Sequence, residues 1–356
     1  MKKDELKQLL QKYQNGTLNK EEEQKIEELL ESFDVYHEFL HETLHDEGMK
    51  ETDLTKMMKK AQQKFFFRNT LLVVSFILTI VPLLTMFTFV YYGWGRDHNR
   101  GNELIETIRT VSEMMSPNVY VDYDTVDVEI KPFTMTVTAD KYKWMDDKRS
   151  YLGKDTYKLF FNDVFAKESN YRAIGYSLHH IGINFIHPKA KYFLPDERRK
   201  IESLPSDWPV EIYISLNQSY SLKEINEKFK GYRYHMTWLA LDTGVEEQMR
   251  NDLDFIQTPA IGFPYKKVHV DSVFHRSFTD YEEVVKGLEL LSKNEKWATQ
   301  LTEYKDLKMA ERLKWVKKRK ELKIYGIAVT GTAKDVLSLE KMKEVNVIRL
   351  GQINLP

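Results

Sequence analysis

Twenty consecutive residues without a charge, Leu71–Val90, constrain this chain more than any other feature. They read LLVVSFILTIVPLLTMFTFV. At a rise of about 1.5 Å per residue, such a helix covers a bilayer core of ~30 Å. A buried helix of a soluble domain would normally carry a polar stripe. Here the only polar groups are Ser75, Thr79, Thr85 and Thr88, whose hydroxyls can bond back to the helix's own carbonyls. Pro82 is better tolerated in a membrane helix than in a soluble one. Phe65, Phe66, Phe67 and Arg68 precede the run and Tyr91, Tyr92 and Trp94 follow it, as interfacial belts do. About seventy mostly polar residues lie before it, which does not fit a signal peptide.

Nearby positive charge predicts the orientation. Lys50, Lys56, Lys59, Lys60, Lys64 and Arg68 stand before the span, against Arg96, Arg100 and Arg109 after it. The positive-inside rule then places the N-terminus in the cytoplasm and the C-terminal part outside, at a cell membrane. The expected fold class is α+β: a small cytoplasmic helical segment, a single transmembrane helix and a mixed α+β extracytoplasmic domain. The expected segments are an acidic helical head over 1–48, a basic juxtamembrane linker over 49–68 and the transmembrane helix over 69–92. A membrane-proximal region over 93–154 and the α+β domain over 155–356 complete the chain. With no cysteine in 356 residues, disulfides, thiolate metal sites and a cysteine nucleophile are excluded.

In the head, Leu6, Leu9, Leu10 and Tyr13 share one helical face, and Asn15-Gly16 is a stop. Asn19 with Glu22 forms a capping-box start for a second helix, whose face carries Ile26, Leu29, Leu30 and Phe33. Tyr36, Phe39, Leu40 and Leu44 continue it or begin a third helix. Helices this short bury little surface alone, so they pack as a marginal bundle or await a partner. Residues 1–48 hold thirteen acids against six Lys/Arg, which favours a basic protein over lipid or nucleic acid.

Beyond the membrane, Glu103–Met115 reads as a helix. Val119–Ile130 and Thr134–Thr138 alternate as strands do, and Val210–Leu216 is another strand. Ser221 and Glu224 make a capping box for a helix to about Lys230. Strands are expected over Tyr232–Leu241, Ile324–Thr330 and Val345–Leu350. Helices are expected over Asp280–Ser292, Glu295–Leu322 and Thr332–Glu344. Ile212–Ile225 and Ile324–Leu337 both read strand, turn, helix.

Asp242-Thr243-Gly244 follows an apolar run, as the tripeptide of an aspartic protease does. A single copy would require a homodimer, and the competing reading is a turn after a strand. His179, His180 and His187 cluster without an acid between Ala173 and Pro188, so a structural role outweighs a metal site. The basic run Lys314–Lys323 reads as a solvated face, with anionic cell-wall polymer or lipid headgroups as the alternative ligands. No phosphate loop or nucleophile elbow is present.

Several phrases carry a resemblance. EIYISLNQSYSLKEI (Glu211–Ile225), TWLALDTG (Thr237–Gly244), IGFPY (Ile261–Tyr265) and IYGIAVTGTAKDVLSL (Ile324–Leu339) resemble the sigma factor regulator family. These are membrane-anchored anti-sigma factors, mostly of Gram-positive bacteria, that hold extracytoplasmic-function sigma factors. Glu103–Lys154 looks like the family's N-terminal regulator region, and Leu10, Tyr13, Gly16, Leu18 and Glu22 match its head in style.

The resemblance implies a non-enzymatic regulator without cofactor or metal, and makes Asp242 a turn residue. It implies a sigma factor held in the cytoplasm by Leu6, Leu9, Leu10, Tyr13, Leu18, Ile26, Leu29, Leu30 and Phe33, and released on envelope stress. A second membrane subunit is a further candidate partner, and lipid contact is made through the single span. The alternative is a cell-envelope sensor or wall-polymer-binding membrane protein without sigma binding.

Overall fold

A computed structural model of the chain describes residues 12, 19–45, 51–95, 99–146, 148–171, 184–190, 194–229, 233–248, 259–265, 280–302, 304 and 306–354. The chain forms two compact units, Met1–Ile80 and Val81–Pro356.

In the first unit, α1 (Lys20–His45) runs unbroken, so Tyr36, Phe39, Leu40 and Leu44 continue the second head helix. Its start is the expected capping box: Glu22 N donates to Asn19 Oδ1 (2.8 Å) and Asn19 N to Glu22 Oε2 (3.2 Å). Three glutamates in its first turn stand at the positive end of the helix dipole, where negative charge is stabilising. The long helix α2 (Glu51–Gly93) begins here and contains Pro82. Its Thr79, Thr85 and Thr88 hydroxyls donate to the carbonyls four residues back, at 2.9 Å each. Among the described residues α2 is the one helix long and apolar enough to cross a membrane, and none of its most apolar window is buried.

The second unit holds the rest: α3 (Arg100–Met115), then β1 (Val119–Val121), β2 (Asp127–Lys131), β3 (Thr134–Met145), β4 (Lys148–Phe160) and β5 (Asp163–Tyr171). These strands form one antiparallel sheet, β1 and β2 lying along one edge of β3 and β4 along the other. The long β4 and β5 are absent from the sequence reading. Their charged faces hide the period, and their turns lack the usual glycines. Phe133, Asp146 and Phe161 turn the three hairpins at φ 64°, 57° and 49°, a left-handed conformation that non-glycine residues avoid.

There follow α4 (Arg198–Glu202), β6 (Pro209–Ser221), α5 (Leu222–Lys228), β7 (Tyr234–Leu241), β8 (Gly262–Pro264), α6 (Tyr281–Lys293), α7 (Glu295–Thr302) and α8 (Met309–Arg319). The chain closes with β9 (Lys323–Thr332), α9 (Ala333–Leu337) and β10 (Val345–Ile353). The second sheet is antiparallel in the order β10-β6-β9-β7-β8. Its central strands are buried on both faces, which is why they read as apolar runs. Alternation sends Ile212, Ile214, Leu239, Ile327 and Val329 into the large core with the helices. Tyr213, Trp238, Ala240, Tyr325 and Ala328 form a second cluster with Phe185 on the other face. β6 and β9, the two expected strand–turn–helix units, lie side by side and feed α5 and α9 through the caps Ser221 and Thr332.

Two expected helices are shorter than predicted. Glu295–Leu322 is α7 and α8, separated where Lys308 turns left-handed (φ 51°) and the Glu295 carboxylate accepts from Met309 N (2.9 Å). That break buries Leu307 and Met309 together. Thr332–Glu344 is α9 followed by a 3-10 turn over Ser338–Lys341.

β3 buries every second residue: Met135, Val137, Ala139, Lys141, Lys143 and Met145. Two lysines therefore enter the interior, and each meets a buried carboxylate. Lys141 Nζ lies 2.5 Å from Asp155 Oδ2, and Lys143 Nζ 2.7 Å from Glu211 Oε2. Burial opposes ionisation of Asp155, but Lys141 outweighs it and holds the carboxyl at about 2. A value below the ordinary 3.8 means the stabilisation is complete above about pH 4 and lost as pH falls towards 2. We expect acid titration of near-ultraviolet circular dichroism to show on the order of 2 kcal/mol lost in that window. Asp155→Asn should be less stable at pH 7 and flatter between pH 4 and 2. An unchanged acid profile would show that the pair contributes nothing.

Candidate functional site

The head presents a stripe at helical spacing on an acidic helix. Ile26 is 2% exposed, whereas Leu30 and Phe33 are 39% and 56% exposed. Leu29 is half-buried and Tyr36 is open to solvent. Glu27, Glu28, Glu31 and Asp34 lie between the stripe positions. Leu30, Phe33 and Tyr36 thus stand exposed on an acidic helix, with Leu29 half-buried, while Ile26 is already enclosed. Leu6, Leu9, Leu10, Tyr13 and Leu18 lie outside the described residues.

The Asp-Thr-Gly tripeptide leaves β7 as a tightly held turn. Asp242 Oδ1 accepts from Gly244 N (3.0 Å), closing an Asx turn. Gly244 adopts φ 80°, and a Cβ there would meet the Trp315 ring at 2.6 Å, so both backbone and space demand glycine. Asp242 Oδ2 accepts from Ser219 Oγ (3.0 Å) and pairs with Arg319 at 3.1 Å. Burial works against its ionisation, yet His187 and Arg319 hold the carboxyl well below the usual carboxylate range. A carboxylate locked by an arginine and its own backbone cannot share a proton with a second aspartate, so the turn reading fits and the protease reading does not.

One turn further on, Thr243 N and Oγ1 donate to Glu246 at 2.8 Å. Arg312, wholly buried, donates to Thr243 Oγ1 (2.8 Å), Glu246 Oε1 (2.5 Å) and the carbonyls of Leu307 (2.8 Å) and Pro259 (3.4 Å). The residues after the tripeptide thus clamp α8 to the end of β7.

Sequence reading missed one grouping. His187, far from any acid along the chain, comes to Asp242 and Glu247, with potential ligand atoms within 4.8 Å of one another. Its Nε2 lies 3.6 Å from Asp242 Oδ2 and Nδ1 accepts from Lys189 N (3.4 Å). Both carboxylates already have cations: Arg319 on Asp242 and Lys189 on Glu247 at 2.6 Å. A divalent ion would have to compete with both. His179 and His180 lie outside the described residues. In the basic run, Lys317 pairs with Glu289, Arg319 with Asp242 and Lys323 with Glu321, so three of its six cations face a carboxylate.

A single apolar span, an acidic helical head before it and a two-sheet domain after it are the features of a single-pass membrane protein. The family models described as sigma factor regulator N-terminal and sigma factor regulator C-terminal match residues 55–150 and 201–352. The chain belongs to the sigma factor regulator family. It is 29% identical over 367 residues to the probable anti-sigma-M factor YhdL of Bacillus subtilis (strain 168), covering 100% of this chain and 99% of that protein. No solved structure matches it.

Proposed function

We propose that this chain is an anti-sigma factor that holds an extracytoplasmic-function sigma factor on the cytoplasmic face of the membrane. The observation that carries this is the stripe Ile26–Leu29–Leu30–Phe33 on an acidic helix, on the side of the span with more positive charge. The stripe would fill an apolar groove of the sigma factor. The surrounding acids would meet basic surfaces that otherwise contact polymerase or promoter. Leu6, Leu9, Leu10, Tyr13 and Leu18, which precede this helix, would complete the contact. YhdL, whose name records an anti-sigma role, supports the reading by its full-length similarity.

The C-terminal domain would then report envelope stress. Moving the sigma factor from 1% to 99% free demands about 5.5 kcal/mol of differential binding, or an irreversible step such as proteolysis. A second membrane subunit could supply part of it.

The test is capture with the full-length chain in detergent from a bacterial lysate. Wild-type protein should retain a sigma factor. Leu29→Asp with Phe33→Asp, which puts two carboxylates into the buried contact, should weaken retention by at least ~100-fold. Both substitutions lie on partly or largely exposed positions, so α1 should survive, as circular dichroism can verify. Equal retention of sigma factor by wild type and variant would remove the stripe as the interface. Absence of any sigma factor would favour the envelope-sensor alternative.

A further inference from the structure

The end of α2 is fastened to the hairpin turns of the first sheet. Thr88 Oγ1 accepts from Phe133 N (2.8 Å), Tyr91 OH donates to Asn162 Oδ1 (2.9 Å) and Tyr92 OH to Phe161 O (2.8 Å). Thr88 lies inside the uncharged run, two residues from its end. At 1.5 Å per residue that is only about 3 Å from the boundary of the apolar segment. The β2–β3 and β4–β5 turns are therefore held at the depth of the bilayer interface.

What the turns carry at that depth is apolar. The Phe133 and Phe160 rings, 6.5 Å apart, are 40% and 50% exposed. Phe161 bridges them to the helix, with ring centroids 5.0 Å from Phe160 and 5.1 Å from Tyr91. A left-handed turn position normally takes glycine or asparagine, yet both left-handed turn residues here are phenylalanine.

Beside them is a cavity of about 690 Å³ whose lining includes Tyr91, Trp94, Arg100, Trp297, Lys293 and Lys296. The Arg100 guanidinium lies 5.0 Å from the Tyr91 ring and 6.0 Å from the Trp297 ring, and its Nε is buried without a hydrogen-bond partner. The carboxylate in the cavity, Glu103, is taken by Lys293 and by Asn294 (3.0 Å), and Lys296 pairs with Asp163. Among the described residues, Arg100 is the cation in this cavity without a carboxylate pair. A guanidinium framed by tryptophan and tyrosine at an interface matches a phosphate group in geometry and charge.

We propose that this face of the C-terminal domain is a lipid-binding site: Phe133 and Phe160 enter the leaflet at the C-terminal end of α2, and the Arg100 cavity takes the phosphate of an anionic phospholipid headgroup. The proposal rests on α2 crossing the membrane and is independent of what the head binds.

The full chain in lipid nanodiscs tests it. The chain has no cysteine, so Phe133→Cys and Phe160→Cys each accept one environment-sensitive fluorophore. Both labels should show the blue-shifted emission of an apolar site and be quenched by nitroxide lipids. A label at Lys223→Cys, 86% exposed on α5, should stay water-like. Phe160 lies outside the left-handed region, so its label reports even where the Phe133→Cys substitution disturbs the turn. Water-like emission at both phenylalanine positions would overturn insertion.

For the headgroup, spin-labelled phosphatidylglycerol and phosphatidylcholine give the relative association of each lipid with the protein. Wild type should prefer phosphatidylglycerol by about five-fold. Arg100→Gln should abolish the preference, whereas Arg100→Lys should keep part of it. An unchanged preference in Arg100→Gln with native circular dichroism would overturn the headgroup site. Loss of preference in wild type on adding soluble glycerol phosphate would overturn its assignment to a membrane lipid.

Discussion

Arg312→Met is expected to destabilise the C-terminal domain by about 3–5 kcal/mol, the cost of stranding a buried charge. Arg312 is fully enclosed, and its guanidinium is divided among Glu246, Thr243 and two backbone carbonyls from separate segments. Removing it leaves the Glu246 carboxylate, 3% exposed, with only Thr243 as donor. Two carbonyls also lose their partner. A methionine fills part of the volume and makes none of these bonds. Adding Glu246→Gln removes the stranded charge and should recover part of the loss, because the two effects are coupled. Chemical denaturation of the four species in the same detergent gives the cycle. Additive effects would mean that the two side chains stabilise the fold independently, contrary to their geometry.

The second large effect is expected at Glu211→Gln. Glu211 is completely buried on β6 and gathers four donors: Lys143 Nζ (2.7 Å), Asn118 Nδ2 (2.9 Å), Tyr213 OH (2.8 Å) and Gln352 N (3.2 Å). Lys143 and Asn118 belong to the first sheet and its approach; Tyr213 and Gln352 belong to the second. One carboxylate therefore joins the two sheets. A glutamine turns one acceptor into a donor, which faces another donor whichever way the amide is oriented, and leaves Lys143 buried without a counter-charge. The expected loss is again about 3–5 kcal/mol. Lys143→Met combined with Glu211→Gln should be more stable than Glu211→Gln alone. Thermal unfolding read by tryptophan emission would show it, since Trp144 flanks Lys143 and Trp238 lies in the second sheet. A double variant no better than the single would show that the lysine charge is not what the carboxylate serves.

Both predictions concern residues that the sequence reading passed over. Arg312 stood within the expected helix Glu295–Leu322, just before its basic run, and Glu211 at the start of an expected strand. The signal for Lys143 was nevertheless present. Read at every second position, TMTVTADKYKWM places Lys141 and Lys143 on the same face as Met135, Val137 and Ala139. A lysine on an apolar face calls for a buried carboxylate, but nothing local says that it is Asp155 in one case and Glu211 in the other. Glu295–Leu322 misled for a related reason. Its residues favour helix throughout, and the break at Lys308 exists because Leu307, Met309 and Arg312 find buried places that a straight helix would deny them. The helix carrying Ile26, Leu29, Leu30 and Phe33 was legible, since a period of 3.6 and the Asn19 cap are both local signals.

The sequence by itself determined the features whose cause is local. An uncharged run of twenty residues specifies a membrane helix, Asn19 with Glu22 and Ser221 with Glu224 start helices, and doubly buried strands show as apolar runs. Only the tertiary structure decided the rest. It turned hairpins at Phe133 and Phe161, brought His187 to Asp242, matched Lys141 to Asp155 and Lys143 to Glu211 and set the aromatic turns beside the end of the span. The physical reason is that periodicity and capping act over three or four residues. A buried charge or a strained turn is settled by partners tens of residues away, and those exist only once the sheets have paired.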